Sequence, residues 1–207
     1  MNQPRDYDAS SRVGTVRAAR TLSNIINPPV IFAVLGLLLS LSELTFLSGL
    51  AWAAVYGFWV SLVPGLIVAY LLSSGRISDL HMNTRQERHI PYAASTLGSL
   101  VALFFIQFLG GPQSLRCLSL YSMVALGLLW LINYFWLISI HTASVAAATI
   151  ILGLVFGGWT VVITMPILIL ICWARLYLRR HTYAQVFSGI IVGSLTVMMF
   201  AFVGCFI

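Results

Sequence analysis

Three groups of residues in this chain have the chemistry to bind and cleave a phosphate. Arg175, Arg179, Arg180 and His181 fall within the stretch ARLYLRRHTYAQ, between two strongly apolar segments. Ser139 and His141 stand in ISIHT, ahead of another apolar run. Arg85, Glu87, Arg88 and His89 stand in RQERHIP. Guanidinium forks take phosphate oxygens in pairs. One imidazole can attack phosphorus while another protonates the leaving oxygen. Thr142 and Thr182 each follow a histidine where a helix should begin, and the amide groups and dipole of a helix N-terminus favour an anion. The plainer readings are also in view. Arginines at the ends of membrane spans commonly set topology or meet headgroups, and Arg179 and Arg180 fit that role. His81 and His89 read as loop residues.

The scaffold that must position these groups belongs in a membrane. The 207 residues are 60% hydrophobic and 8% charged, against about 25% charged in soluble domains. Within hydrocarbon every backbone polar group must be satisfied, so only helices and closed barrels cross it. Barrel strands alternate apolar and polar residues; these runs are continuously apolar. The expected fold is an all-α, polytopic transmembrane helical bundle of about seven spans. They lie near 30–47, 50–72, 92–109, 117–137, 141–156, 160–177 and 184–206, with a kink expected at Pro64-Gly65. Residues 1–28 form a basic tail, in which Val13, Val16, Leu22 and Ile26 could make one face of a short interfacial helix. Residues 29–207 form the membrane-embedded domain.

The region 142–173 decides the count. As one helix it would run on the order of 48 Å, against a hydrocarbon core of about 30 Å. Gly157-Gly158-Trp159 in its middle offers turn residues and an interfacial anchor, so the expectation is two spans. A single helix there would give six spans and put His141 and His181 on opposite sides. With seven, the tail, the loop 73–91 and the corners at 139–141 and 175–181 share one side. That side then holds all four histidines and every arginine but Arg116; Glu43 stays with Arg116 on the other. The net charge is +6 with no lysine. In such a protein a basic balance points to topology and anionic headgroups, and no nucleic-acid motif is present. Arg5, Arg12, Arg17 and Arg20 place the N-terminus, and the site with it, in the cytoplasm, with the protein integral to the cell membrane. The first apolar run leads into further spans and does not read as a cleaved leader. Cys117, Cys172 and Cys205 lie far apart and read as packing residues.

ARLYLRRHTYAQ resembles the third motif of the type 2 phosphatidic acid phosphatase family, Ser-Arg-x5-His-x3-Asp, through Arg175, His181 and Gln185. ISIHT resembles the second, Pro-Ser-Gly-His, through Ser139 and His141, and RQERHIP the first, Lys-x6-Arg-Pro, through Arg88 and Arg85. The resemblance covers about residues 85–195. It implies an integral membrane phosphatase that needs no metal or cofactor and acts on a lipid phosphate or polyprenyl (di)phosphate. His181 would be the nucleophile that forms a phosphohistidine, His141 the general acid, and Gln185 the orienting partner of His181. Arg175, Arg88, Arg85 and the Ser139 hydroxyl would hold the phosphate. The chain departs from the family pattern at Ala174, Ile138, Ile140 and His81, and most of all at Gln185, where the family has aspartate. Those departures support a second expectation: a catalytically degenerate relative serving as a structural or lipid-binding subunit of a larger membrane complex.

Overall fold

The computed structural model describes residues 3–82 and 84–206. It is all-α, with no strand among the described residues. The helices are α1 (Gly14–Ile25), α2 (Pro28–Glu43), α3 (Phe46–Gly57), α4 (Val63–Ser73), α5 (His89–Phe108), α6 (Gln113–Phe135), α7 (Ile140–Phe156), α8 (Trp159–Tyr177) and α9 (Tyr183–Phe202). Five stretches are long and apolar enough to cross a membrane: Phe46–Ser73, Gln86–Phe108, Gln113–Phe135, α8 and α9. A sixth arises if α1 and α2, bent by 45°, act as one. By themselves α2 and α7 have 16 and 17 residues and fall short of that length.

The stretch 142–173 breaks where the glycines stand. Gly157 lies at φ 94°, a conformation natural to a residue without Cβ, and the chain reverses there from α7 into α8. The irregularity expected at Pro64 sits about one turn earlier. A π-helical turn, Phe58–Leu62, links α3 to α4. Proline has no N–H to offer the carbonyl one turn back, so the backbone rewinds on its upstream side.

The chain forms two compact units. The first comprises Met1–Ile31 and Ile138–Val197. Here α7 and α8 make an antiparallel hairpin, and α1 lies along α8. Ala19 packs on Ala174 and Leu178 with Val16, Leu22 and Tyr177 beside them. Leu22 and Ile26 also cover Val145, Ala146, Leu168 and Ile171. Of the stripe Val13, Val16, Leu22 and Ile26 that suited an interfacial helix, the last three face protein and Val13, just ahead of α1, is exposed, while Thr15, Arg17, Thr21 and Asn24 point outward. Gly189 and Gly193 set α9 against α7. A Cβ at Gly189 would meet the Thr142 hydroxyl, and one at Gly193 the Ala143 carbonyl. Small residues four apart are what let two helix backbones approach this closely.

The second unit comprises Phe32–Leu137 and Met198–Ile207. In it α5 and α6 run antiparallel, and Glu43 accepts from the Ser114 N–H at the start of α6 across 3.0 Å. Cys117 and Cys205 form a disulfide, with Cα atoms 5.7 Å apart. This corrects the reading of both as packing residues. They are 88 positions apart, and a pairing that remote leaves no spacing signature in one sequence. Cys172 remains a free thiol.

Polarity is inverted relative to a water-soluble domain. Phe108, Val162, Phe187 and Phe202 are exposed, while Ser119, Ser122, Asn133 and Thr149 are buried. An exterior this apolar is suited to hydrocarbon.

Candidate active site

The corner between α8 and α9 is closed at both ends by local hydrogen bonds. At the end of α8, Arg180 N–H donates to the Arg175 carbonyl (3.1 Å) and Arg179 N–H to that of Leu176 (3.0 Å). This nested pair is a Schellman stop, and Arg179 fills its left-handed position at φ 56°. At the start of α9, Thr182 N–H donates to Gln185 Oε1 (3.0 Å), and Gln185 N–H to Thr182 Oγ1 (3.3 Å). That reciprocal pair is a capping box. His181 is held between the two devices, 4% exposed.

The capping box also fixes the chemistry of His181. Because Gln185 Oε1 accepts from the Thr182 amide, it is the carbonyl oxygen of the side chain. His181 Nδ1 lies 3.2 Å from the same oxygen and must therefore carry the proton it donates. In the neutral ring Nε2 then has the lone pair, which is the form a histidine nucleophile requires.

His141 enters from the N-terminus of α7. Ser139, the residue before that helix, donates its N–H to the Gln185 carbonyl across 3.3 Å. The Thr142 hydroxyl lies 3.1 Å from the carbonyls of both Ser139 and Val186. The two helix N-termini thus lie side by side, and their amide groups and dipoles converge. His141 Nε2 is 3.2 Å from the Ser23 carbonyl, which can only accept, so Nε2 carries a proton. The Ser139 hydroxyl is buried, with no partner among the described residues. Arg175 is 1% exposed in the last turn of α8. A guanidinium that deep persists only where acceptors surround it.

The N-terminal segment completes this region. Asp6 is fully buried. Its carboxylate takes Arg180 Nε and Nη2, each at 2.9 Å, and Arg20 Nη1 at 2.6 Å. Burial by itself would raise the Asp6 carboxyl. The hydrogen bonds and charge of Arg180, then of Arg20, outweigh it and hold the group below the usual carboxylate value. Arg5 donates its N–H to the Leu178 carbonyl (3.1 Å) and sets its guanidinium 4.5 Å over the Tyr177 ring.

Of the residues expected to form the site, His181, His141, Gln185, Arg175 and Ser139 fall in the first unit, around one corner. Arg85 and Arg88 belong to the second. Arg85 Nη1 donates to the carbonyls of Tyr134 and Phe135, each at 2.8 Å, closing the end of α6. Arg88 donates to the carbonyls of Met82 (3.1 Å) and His81 (3.4 Å). His89 accepts from the Trp130 indole N–H at 3.1 Å. The sequence reading missed Asp6, Ser23 and the pairing of Arg180. It also missed the capping box, although Thr182-x-x-Gln185 is a legible signal for one.

Comparison with protein-family models, with curated proteins and with solved structures gives no match.

Proposed function

We propose that the protein is a membrane-embedded phosphohydrolase that cleaves a phosphate monoester or diphosphate of a lipid or polyprenol through a phosphohistidine. The observation that carries this reading is the Gln185–His181 bond, which puts the proton on Nδ1 and so the lone pair on Nε2, at a corner where the starts of α7 and α9 are tied together. His181 Nε2 attacks phosphorus and the bond to the lipid oxygen breaks. His141, as an imidazolium, keeps its Nε2–H on the Ser23 carbonyl and gives the proton on Nδ1 to the leaving oxygen. Water then attacks phosphorus, the P–N bond breaks, and the water's proton returns to His141. Arg175 and the converging amides balance charge on the equatorial oxygens. Arg88 and Arg85 enter as further phosphate ligands on the family resemblance alone.

The reading includes a bundle of seven spans, with α2 and α7 crossing beside the five longer segments. It places the tail and the histidines in the cytoplasm, as the basic tail suggests. The disulfide supports that orientation. A 20-residue α9 covers about 30 Å, so crossing it carries the chain from Gln185 to the opposite compartment before Cys205. Disulfides persist in oxidising compartments, outside the cytoplasm.

A second reading has an observation of its own. The capping box gives Gln185 a purely structural reason to be present. On that reading the chain is a catalytically degenerate relative that binds lipid as a subunit of a larger complex. Purified protein offered phosphatidate and prenyl diphosphates, beside His181→Ala, separates the two. Vanadate-sensitive phosphate release by the parent, absent from the variant, supports the enzyme. Equal background release from both supports the subunit.

A further inference from the structure

We infer that Asp6 is a positioning residue for His181, acting through Arg180, so that the N-terminal segment is a working part of the site. The inference rests on the phosphohydrolase reading for its kinetic arm, and its chemical arm stands apart from it. The five residues that link α8 to α9, 178–182, make a sharp turn, and the fourth of them is His181. The N-terminal segment grips this turn at two points. At its start, the Arg5 N–H takes the Leu178 carbonyl. Within it, both Asp6 carboxylate oxygens take the Arg180 guanidinium, directly before His181 in the chain. Arg20, from α1, holds the same carboxylate from the other side, and Arg12 Nε fixes the Asp6 main-chain carbonyl at 3.0 Å. The same helix α1 supplies the Ser23 carbonyl that sets the His141 proton. Both imidazoles therefore take their geometry in part from residues 5–23.

A tether with both oxygens engaged and no exposed surface is built to hold a shape. It differs in this from an exposed strap that swings aside to admit a ligand. Removing its charge weakens one anchor of the Arg180 side chain and loosens the turn, and the His181 ring loses its fixed relation to the Gln185 oxygen. A displacement on the order of 1 Å at a reacting group can cost about a hundredfold in rate without a comparable loss in binding.

The test uses the full-length protein in lipid vesicles, with Asp6→Asn, Asp6→Glu and the milder Arg20→Gln, each compared where its helical circular dichroism matches the parent. Modification of His181 by diethyl pyrocarbonate is followed by peptide mass, with His89 as internal reference. The expected result is about tenfold faster modification of His181 in Asp6→Asn, a smaller rise in Arg20→Gln, and partial return toward the parent in Asp6→Glu. In the kinetic arm kcat falls about 10- to 100-fold in Asp6→Asn while KM stays within about threefold. Unchanged His181 reactivity in both Asp6→Asn and Arg20→Gln overturns the inference. So does a gain in kcat, which would make the segment a gate. If the parent releases no phosphate, the phosphohydrolase reading fails, and the modification rates still decide whether Asp6 positions His181.

Discussion

The Ser139 N–H donates to the main-chain carbonyl of Gln185 across 3.3 Å. That bond ties the entry of α7 to the first turn of α9. Each helix has a histidine at its threshold, so the two imidazoles are brought into one corner by backbone alone. The Thr142 hydroxyl at the Val186 carbonyl and the close seat of Gly189 reinforce the tie. The corner gathers amide N–H groups from two helix starts and guanidinium groups from α8 and the turn beyond it, with Asp6 as the acid bound among them.

Gln185→Glu keeps the size of the side chain and both acceptor roles while adding a negative charge next to His181. A carboxylate there favours the imidazolium. Imidazole titration followed by NMR should move upward by about one unit or more, and on the phosphohydrolase reading the acidic limb of the pH–rate profile should rise with it. An unshifted profile would mean that His181 does not titrate in the reaction.

Gly193→Leu forces a side chain into the space taken by the Ala143 backbone. Overpacking of this kind costs about 1–3 kcal/mol. The variant should melt at lower temperature and, on the phosphohydrolase reading proposed above, lose phosphate release at least about tenfold, because the start of α7 moves away from α9. Gly127→Ala, at a site with open space around its Cβ position, should change neither.

Asp6 gives stability a defined pH dependence. Its carboxyl is held low in the folded protein. The unfolded chain takes up the proton near the usual value of about 4. The contribution is therefore complete above that value and is lost as pH falls through it toward the folded value. The parent should lose thermal stability between about pH 5 and pH 3 more steeply than Asp6→Asn, and the difference between the two curves isolates this group.

Arg179→Gly should stabilise the chain. Arg179 occupies the left-handed position of the Schellman stop at φ 56°, where a side chain costs roughly 1 kcal/mol or more. Denaturant unfolding should show a gain of about that size. A loss would indicate that the Arg179 side chain makes a contact worth more than the strain.

Much of this was legible in the sequence, for physical reasons that can be named. Continuous apolar runs can only be helices in lipid, and the break at Gly157-Gly158 follows from the thickness of the hydrocarbon core. Histidine followed by threonine marked the start of α9 at Thr182, while α7 begins two residues before Thr142, at Ile140. The rest depended on tertiary neighbours. Nothing around Asp6 in sequence announces that Arg180 will meet it. The stripe Val13, Val16, Leu22 and Ile26 is equally suited to a lipid surface or to a protein neighbour, and only packing chooses, partly burying the last three and leaving Val13 exposed. Cys117 and Cys205 show no relation until the chain brings them within bonding distance. Arg85 reads like a phosphate ligand, and nothing near it in sequence announces that its Nη1 will donate to the carbonyls that end α6.

The Cys117–Cys205 bond gives the molecule the topology of a lariat. Helices α7 and α8 and both site histidines lie inside a covalent ring, and everything before Cys117 is its tail. A single peptide cleavage at the Gly157–Gly158 reversal would open the ring without detaching anything. The nicked chain would keep its mass until a thiol reductant released residues 158–207, and that delayed separation would show on a gel that the bridge is closed.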